Sequence, residues 1–337
     1  MKKTLKILLI AFLFICTGYY LFFVPSGGVN NILEKNNEYA LTFEKEEDFS
    51  YDKSSELENR YNKNYNLSKI SLEREGVKEI SGIDFVDSKI LITDTKTDRL
   101  MMFDKKFNLI KSIGKTGNGR LEFIKPSNVK YANGYIYVLD YGNQRIQVLD
   151  KNLSYIKEYI FEKADESPEF IYSSMAVDNK ENIYLSGDTT HTRSIQKIEK
   201  NGKVSYILDN FSGNVYFYRG ILHAINWGQF LVNRKGEIIC TTGRTFLLRK
   251  DENKLKKIYE FNARLTTEAF CMDDKIIYIL SSTFRELMRF DRNTGAYIDS
   301  IGNYKSDKVY YNARMEVNNG VAYVTLGTNE VFIYNEK

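Results

Sequence analysis

A chain of 337 residues with a formal charge of +4 lacks the bulk-basic balance of a domain built to hold nucleic acid. Lys2, Lys3 and Lys6 supply three of those units, which leaves the rest of the chain close to neutral. Aromatics make up 14%, with 25 Tyr and 21 Phe against one Trp and 3 Pro, a balance that suits half-buried pleated sheet.

The first predicted element is apolar. Ile7 to Val24 (ILLIAFLFICTGYYLFFV) carries no charge over 18 positions, near the lower limit for a helix crossing a hydrocarbon core of about 30 Å. Three lysines precede it and the next charge is Glu34, so the positive-inside rule leaves residues 1–6 in the cytoplasm and 25–337 outside. A cleaved secretory signal and a lipoprotein signal at Cys16 compete with this reading. Ile15 is bulkier than the small residue a lipoprotein signal wants, and the apolar run continues eight residues past Cys16. No Ala-x-Ala site follows the core, although Pro25-Ser26-Gly27-Gly28 offers a place for cleavage. The expectation is an uncleaved signal-anchor at 7–24 and a single-pass protein of the cell membrane. Cys240 and Cys271 lie in apolar strand-like runs without metal-ligand spacing, and read as small buried hydrophobes rather than a disulfide.

Residues 25–65 are polar, lack a sustained apolar period and read as a stalk or linker with room for one short helix. From Leu67 onward, short strand-like runs alternate with Gly, Asn and Asp turns, the pattern of an all-β architecture. The clearest stretch runs from Gly114 to Asp150, GKTGNGRLEFIKPSNVKYANGYIYVLDYGNQRIQVLD. It has a Gly-rich entry, a Phe-x-x-Pro step, two apolar strands, an Asp-Tyr-Gly-Asn-Gln-Arg turn and a third strand.

This stretch resembles a single NHL repeat, the unit of a family of six-bladed β-propellers. The resemblance extends over about residues 66–337 and implies copies of a four-stranded antiparallel blade stacked around an axis. Aligned copies begin at Gly82, Gly114, Ser174, Phe230, Glu268 and Ala313. The sixth stops after three strands at Tyr334, while a strand-like run, Asn66 to Glu75, precedes the first blade unclaimed. That run is predicted to complete the last blade and close the ring, which spares the ring an open interface.

With strands lettered a to d from the axis outward, the b–c hairpins and d–a crossovers share one face, where loops on a rigid scaffold concentrate binding residues. The alignment puts Arg99, Arg145, Arg193, Arg244 and Arg285 at the start of strand c in five blades, with Glu330 in the sixth. The resemblance gives the Asp-x-x-Asn-x-Arg turn an architectural role, matched here by Asp140, Asn143 and Arg145, and in the first blade by Asp94 and Arg99. Blades three to five keep the arginine without an Asp aligned at the strand end. The arginines are therefore also candidates for a ligand face, since a guanidinium fork pairs with carboxylate or phosphate. A long crossover, Asp209 to Gly228, adds Tyr218, His223 and the single tryptophan, Trp227, with His191 in a b–c turn. These amphipathic groups suit sugar stacking or peptide capture, and equally suit filling the gap between two blades.

Catalytic signatures are sparse. His191 and His223 are the only histidines, too few for a three-histidine zinc site, and no Gly-x-Ser-x-Gly, phosphate loop or His-Glu-x-x-His occurs. A His–Glu pair like that of streptogramin-inactivating propellers has no evident glutamate here. A gluconolactonase-like calcium set is not fixed by spacing, although Asp84, Asp178 and Glu268 lie near strand starts. The expected function is an extracytoplasmic binding or scaffolding module for a peptide, glycan or cell-envelope ligand, without cofactor, assigned metal ligand or nucleic-acid partner. The alternative is a lyase or lactonase-like hydrolase with a divalent cation such as calcium in the axial channel.

Overall fold

Turn residues cut the chain into short antiparallel strands, and each group of four forms one twisted sheet. The computed structural model describes residues 65–160, 171–188, 193–209, 211, 213–226, 230–232, 238–241, 245–251, 254–261, 267–281, 286–303 and 313–337. Strand β1 (Tyr65–Ser71) comes first. Blade one holds β2 (Ile80–Val86), β3 (Lys89–Asp94), β4 (Arg99–Phe103) and β5 (Leu109–Ile113). Blade two holds β6 (Pro126–Ala132), β7 (Tyr135–Asp140), β8 (Arg145–Asp150) and β9 (Tyr155–Ile160). Blade three holds β10 (Ile171–Val177), β11 (Ile183–Asp188), β12 (Arg193–Ile198) and β13 (Val204–Asp209). Blade four opens with β14 (Gly213–Tyr218) and β15 (Ile221–Asn226). A separate two-stranded hairpin follows, β16 (Phe230–Val232) and β17 (Ile238–Thr241), before β18 (Phe246–Asp251) and β19 (Lys254–Glu260) complete the blade. Blade five holds β20 (Thr267–Met272), β21 (Ile276–Ser281), β22 (Glu286–Asp291) and β23 (Tyr297–Asn303). Blade six holds β24 (Ala313–Asn318), β25 (Val321–Leu326) and β26 (Glu330–Glu336), with β1 as its outer strand.

The protein is thus an all-β six-bladed propeller of four-stranded antiparallel blades, closed by its N-terminal strand as expected. β1 pairs with β26 over seven residues, from Tyr65 opposite Glu336 to Ser71 opposite Glu330. Lys69 Nζ lies 2.8 Å from Glu330, and the Tyr65 hydroxyl accepts a hydrogen bond from Arg289 of blade five. The closing strand is therefore tied to two blades.

Both faces of each sheet are apolar, so each blade needs a neighbour on either side. Six buried clusters meet this need, one at each blade interface. Leu91, Leu100 and Met102 of blade one pack with Val129, Ile136 and Val138 of blade two. Val331 of blade six packs with Ile80, Ile92 and Phe103 of blade one, which seals the ring. The innermost strands β2 and β6 approach closely at Gly82. A Cβ there would stand 2.8 Å from the Val129 nitrogen and 3.0 Å from the Asn128 Cα, so any side chain would push β2 and β6 apart.

Blade four departs from the alignment. Asp209 to Gly228 is not a crossover: it contains strands a and b of that blade, and the runs at Phe230 and Ile238 form the inserted hairpin. The signal lies in Arg219-Gly220, with φ of +47° and +82°, matching the hairpins at Asn133-Gly134 (+53°, +85°) and Asn319-Gly320 (+52°, +75°). Two consecutive positive φ values give the turn whose twist suits a two-residue hairpin. Arginine in place of the usual Asn conceals it in the sequence. No helix among the described residues is long and apolar enough to cross a membrane; the predicted anchor at 7–24 lies outside those residues, as does the predicted stalk at 25–65 apart from Tyr65, which opens β1 instead.

Removal of residues 1–71 should lower the melting temperature by about 10 °C or more, because β26 loses its partner and the interface between blades six and one is thinned. Calorimetry of the truncated and full-length chains checks this; equal melting would mean that β1 is dispensable for closure.

Candidate functional site

Of the predicted ligand arginines whose side chains are described, Arg145 is bonded throughout within the fold and Arg99 in part. Arg145 is buried and uses all five N–H groups. Nε donates to Asp140 at 2.8 Å, Nη1 to the Asn118 carbonyl at 2.7 Å and Glu158 at 2.9 Å, and Nη2 to the Gly119 and Glu122 carbonyls at 2.9 Å each. Arg99 donates to Thr97 at 2.9 Å and to the Gly76 carbonyl at 2.7 Å, with Asp94 at 3.8 Å. Asp94, Asp140 and Asn143 bond groups within the turn and in the segment before the blade. Asp94 accepts the backbone N–H groups of Lys78 and Glu79, and Asp140 that of Ile124, so each pins the segment entering its own blade. Asn143 bridges Asp140 and the Gly117 carbonyl.

Strand register corrects the recurring arginine. Asp94 faces Arg99, Asp140 faces Arg145 and Asp188 faces Arg193, so blade three keeps the aspartate that the alignment denied it. In blade four the corresponding pair is β15 Asn226 and β18 Phe246, which follow from Ile225 opposite Leu247. In blade five Ser281 faces Glu286. The arginine at this position therefore belongs to three blades rather than five. Arg244, Arg285, His191 and Trp227 lie outside the described residues, as does the side chain of Arg193.

His223 and Tyr218 also move. His223 is an inward residue of β15, 3% exposed, with Nδ1 3.1 Å from the Ile221 carbonyl. Burial pulls its pKa to about 4 against that carbonyl, with Arg292 and Arg249 adding to the shift, so the ring is neutral at pH 7. Tyr218 ends β14 beside an a–b turn, which puts it on the face opposite the b–c turns. Its hydroxyl bonds Asp274, and the guanidinium of Arg292 sits 4.7 Å from its ring centroid. Among the described residues, Tyr218 therefore stands on the face opposite Arg99 and Arg145.

Instead, charge gathers on the axis. Asp84, Lys130, Ala176, Tyr216, Cys271 and Glu316 occupy equivalent places on the six innermost strands, three residues before the a–b turn begins. Lys130 of blade two and Tyr216 of blade four both bond the carboxylate of Glu316 in blade six. Those bonds skip blades one and five, so these side chains meet across the axis. Asp84 accepts the N–H groups of Tyr131 at 2.7 Å and Phe85 at 2.8 Å.

Burial drives the pKa of Asp84 up to about 7, with Lys130 opposing and Glu316 adding to the rise. Burial also works against the charge of Lys130, but Glu316 and Asp84 outweigh it and raise the lysine above its ordinary value. Burial and the Glu316 charge lift the Tyr216 phenol, which stays a donor at neutral pH. Cys271 is a free buried thiol in the same tier, its pKa raised chiefly by burial.

A cavity of about 130 Å³ reaches this tier, lined by Asp84, Lys130, Tyr216 and Glu316 with Ala176 and Phe217. A second hollow of about 420 Å³ shares Tyr216 and extends over Tyr218, Asp273, Asp274, Lys275 and Asn319. The lining turns are a–b hairpins, so both open on the a–b face. Of the charged tier, Asp84 alone stands out in the sequence, near a strand start. The others become visible only when the six strands are counted back from their turns.

The tier does not fit a divalent cation. Both Asp84 oxygens accept backbone N–H groups, both Glu316 oxygens are engaged by Lys130 and Tyr216, and the Lys130 ammonium supplies the positive charge between them. Among the described residues no other group of His, Cys, Asp and Glu is arranged to hold a metal.

Two outcomes follow from this geometry. Arg145→Lys forfeits the fork that serves five acceptors and should cost about 3 kcal/mol in urea unfolding; a loss below about 1 kcal/mol would mean the fork is not structural. Asp84 holds its proton in the folded state between its unfolded pKa, about 3.9, and about 7, so burying it as the anion costs stability as pH rises through that window. Relative to Asp84→Asn, the wild type should therefore lose stability between pH 4 and 7 and then level off; a difference independent of pH would contradict the burial.

The sequence matches the DUF5128 family, described as a 6-bladed beta-propeller, over residues 70–269, and the chain belongs to that family. No curated protein matches the sequence. Among solved structures, virginiamycin B lyase from Staphylococcus aureus aligns with a TM-score of 0.55 at 10% identity, over 81% of this chain and 100% of that one. A candidate exported protein from Bacteroides fragilis gives 0.58 at 12% identity, over 82% and 97%. A candidate gluconolactonase gives 0.56 at 11% identity, over 84% and 96%. At such identities the likeness is one of fold alone.

Proposed function

We propose that the protein is a membrane-tethered, extracytoplasmic binding platform that takes a peptide or glycan of the cell envelope at the a–b mouth of its axis. The observation that carries this reading is the polar axial tier lining a cavity that shares Tyr216 with the wider hollow beside Tyr218. Lys130, Tyr216 and Glu316 offer a fixed set of donors and acceptors, and Tyr218, Asp274 and Asn319 offer the mix of aromatic wall and polar rim that orients sugar or peptide groups. The apolar segment at 7–24 supports the tether, with the propeller outside by the positive-inside rule. The exported character in the name of the Bacteroides neighbour agrees with it.

A second reading gives the same cavity catalytic work on an ester or lactone. It is supported by an Asp84 pKa of about 7, which suits proton exchange near neutral pH, and by the lyase and gluconolactonase names of two neighbours. Hydrolysis of cyclic esters that Asp84→Asn abolishes would favour it over pure binding.

Titration calorimetry with soluble peptidoglycan fragments, which present both sugar and peptide, tests the binding reading. Tyr218→Ala and Glu316→Gln should each weaken binding about tenfold while the chain still melts cooperatively. Unchanged affinity in both variants would move the site away from this mouth, and no binding at all would remove these fragments as the ligand class.

A further inference from the structure

A second polar tier lies on the axis, two residues back along the inner strand from Glu316. Arg314 of blade six reaches across to blade two, where Nη2 donates to the Ser127 carbonyl at 3.3 Å, and Nη1 donates to the Ala313 carbonyl at 2.9 Å. Its Nε has no hydrogen-bond partner. The Ser127 hydroxyl is also buried without a partner, as is that of Thr325, which stands opposite Arg314 in the β24–β25 register. A guanidinium has five donors, and buried donors in folded proteins are nearly always satisfied. Arg314 thus keeps a donor to spare beside Ser127, whose carbonyl it bonds, and opposite Thr325 across the β24–β25 pair, and the hydrogen bonds it makes go to neutral carbonyls.

We propose that Arg314, with the hydroxyls of Ser127 and Thr325, binds a compact oxyanion, the carboxylate or phosphate of a ligand in the axial channel. A planar guanidinium presents parallel N–H groups to such an anion and gains charge-assisted bonds that a carbonyl does not provide. Burial lowers the pKa of Arg314 to about 10, with Glu268 opposing, so the group stays cationic at neutral pH while lacking solvation that an anion would restore. The site does not depend on the a–b mouth reading, since none of its three residues lines that cavity.

Thermal melting of the full-length protein tests this. Inorganic phosphate and acetate are each titrated in place of chloride at constant ionic strength. A saturable rise in melting temperature is expected from at least one of them, and which anion gives it separates phosphate from carboxylate. Arg314→Gln should raise the midpoint of that rise about tenfold and Ser127→Ala about threefold, the scale of losing a charge-assisted or a neutral hydrogen bond. Should Arg314→Gln fail to fold, the Arg314 Nε–H resonance in ¹⁵N-arginine-labelled wild type provides the second measure and should shift along the same titration. No saturable rise over chloride, equal midpoints in wild type and variants, or an unmoved Nε–H resonance at saturating anion would each overturn the proposal and leave water as the partner of this tier.

Discussion

Every feature of this molecule depends on one constraint: a blade that is apolar on both faces is stable only between two others. The buried clusters alternate around the ring with one at each interface, so no blade has a core of its own. Such a ring has to close. The chain achieves this by pairing β1 with β26, its first described strand with its last, and by bonding Tyr65 to Arg289 of the preceding blade. Hydrophobic burial supplies the driving force, while backbone pairing at the seam sets the register.

Closure has a chemical consequence at the axis. Six inner strands point side chains toward one line, where solvation is poor and blades that are remote in sequence come into contact. Lys130 and Glu316 lie 186 positions apart and form a direct ion pair. In that setting a third charge is costly, which is why burial moves the Asp84 carboxyl to about 7 while Lys130 and Glu316 neutralise one another. The axis therefore joins a fixed charge pair, a proton-exchanging carboxyl and a phenol donor. That combination serves recognition and acid–base work alike, so the fold does not decide between them.

The arginine turns show the opposite economy. Where described, their charge is spent locally: Asp140 fixes the entry to its blade and Arg145 gathers the carbonyls of the loop before it. With all its donors engaged within the fold Arg145 has none to offer a ligand, whereas Arg99 spends its Nε and one Nη2 bond. Recurrence of the residue therefore reflects recurrence of the turn.

The sequence by itself determined the propeller, the number of blades and the strand that closes them, through the resemblance of one stretch to an NHL repeat and the turn residues that space its copies, since turn chemistry acts over a few residues. It also pointed to Asp94, Asp140 and Asn143 as architectural residues; Asp94 bonds the nearby Lys96 N–H, while Asp140 and Asn143 reach Ile124 and Gly117 in the segment entering the blade. It misplaced the first half of blade four, where an arginine stands in the turn position that Asn fills elsewhere and an inserted hairpin imitates strands a and b. The axial site was almost invisible, because Lys130, Tyr216, Arg314 and Glu316 have nothing in common locally. Only the closed ring decides that these residues meet, since their contacts depend on circular stacking and the hydrogen bonds that join them span blades that are not neighbours.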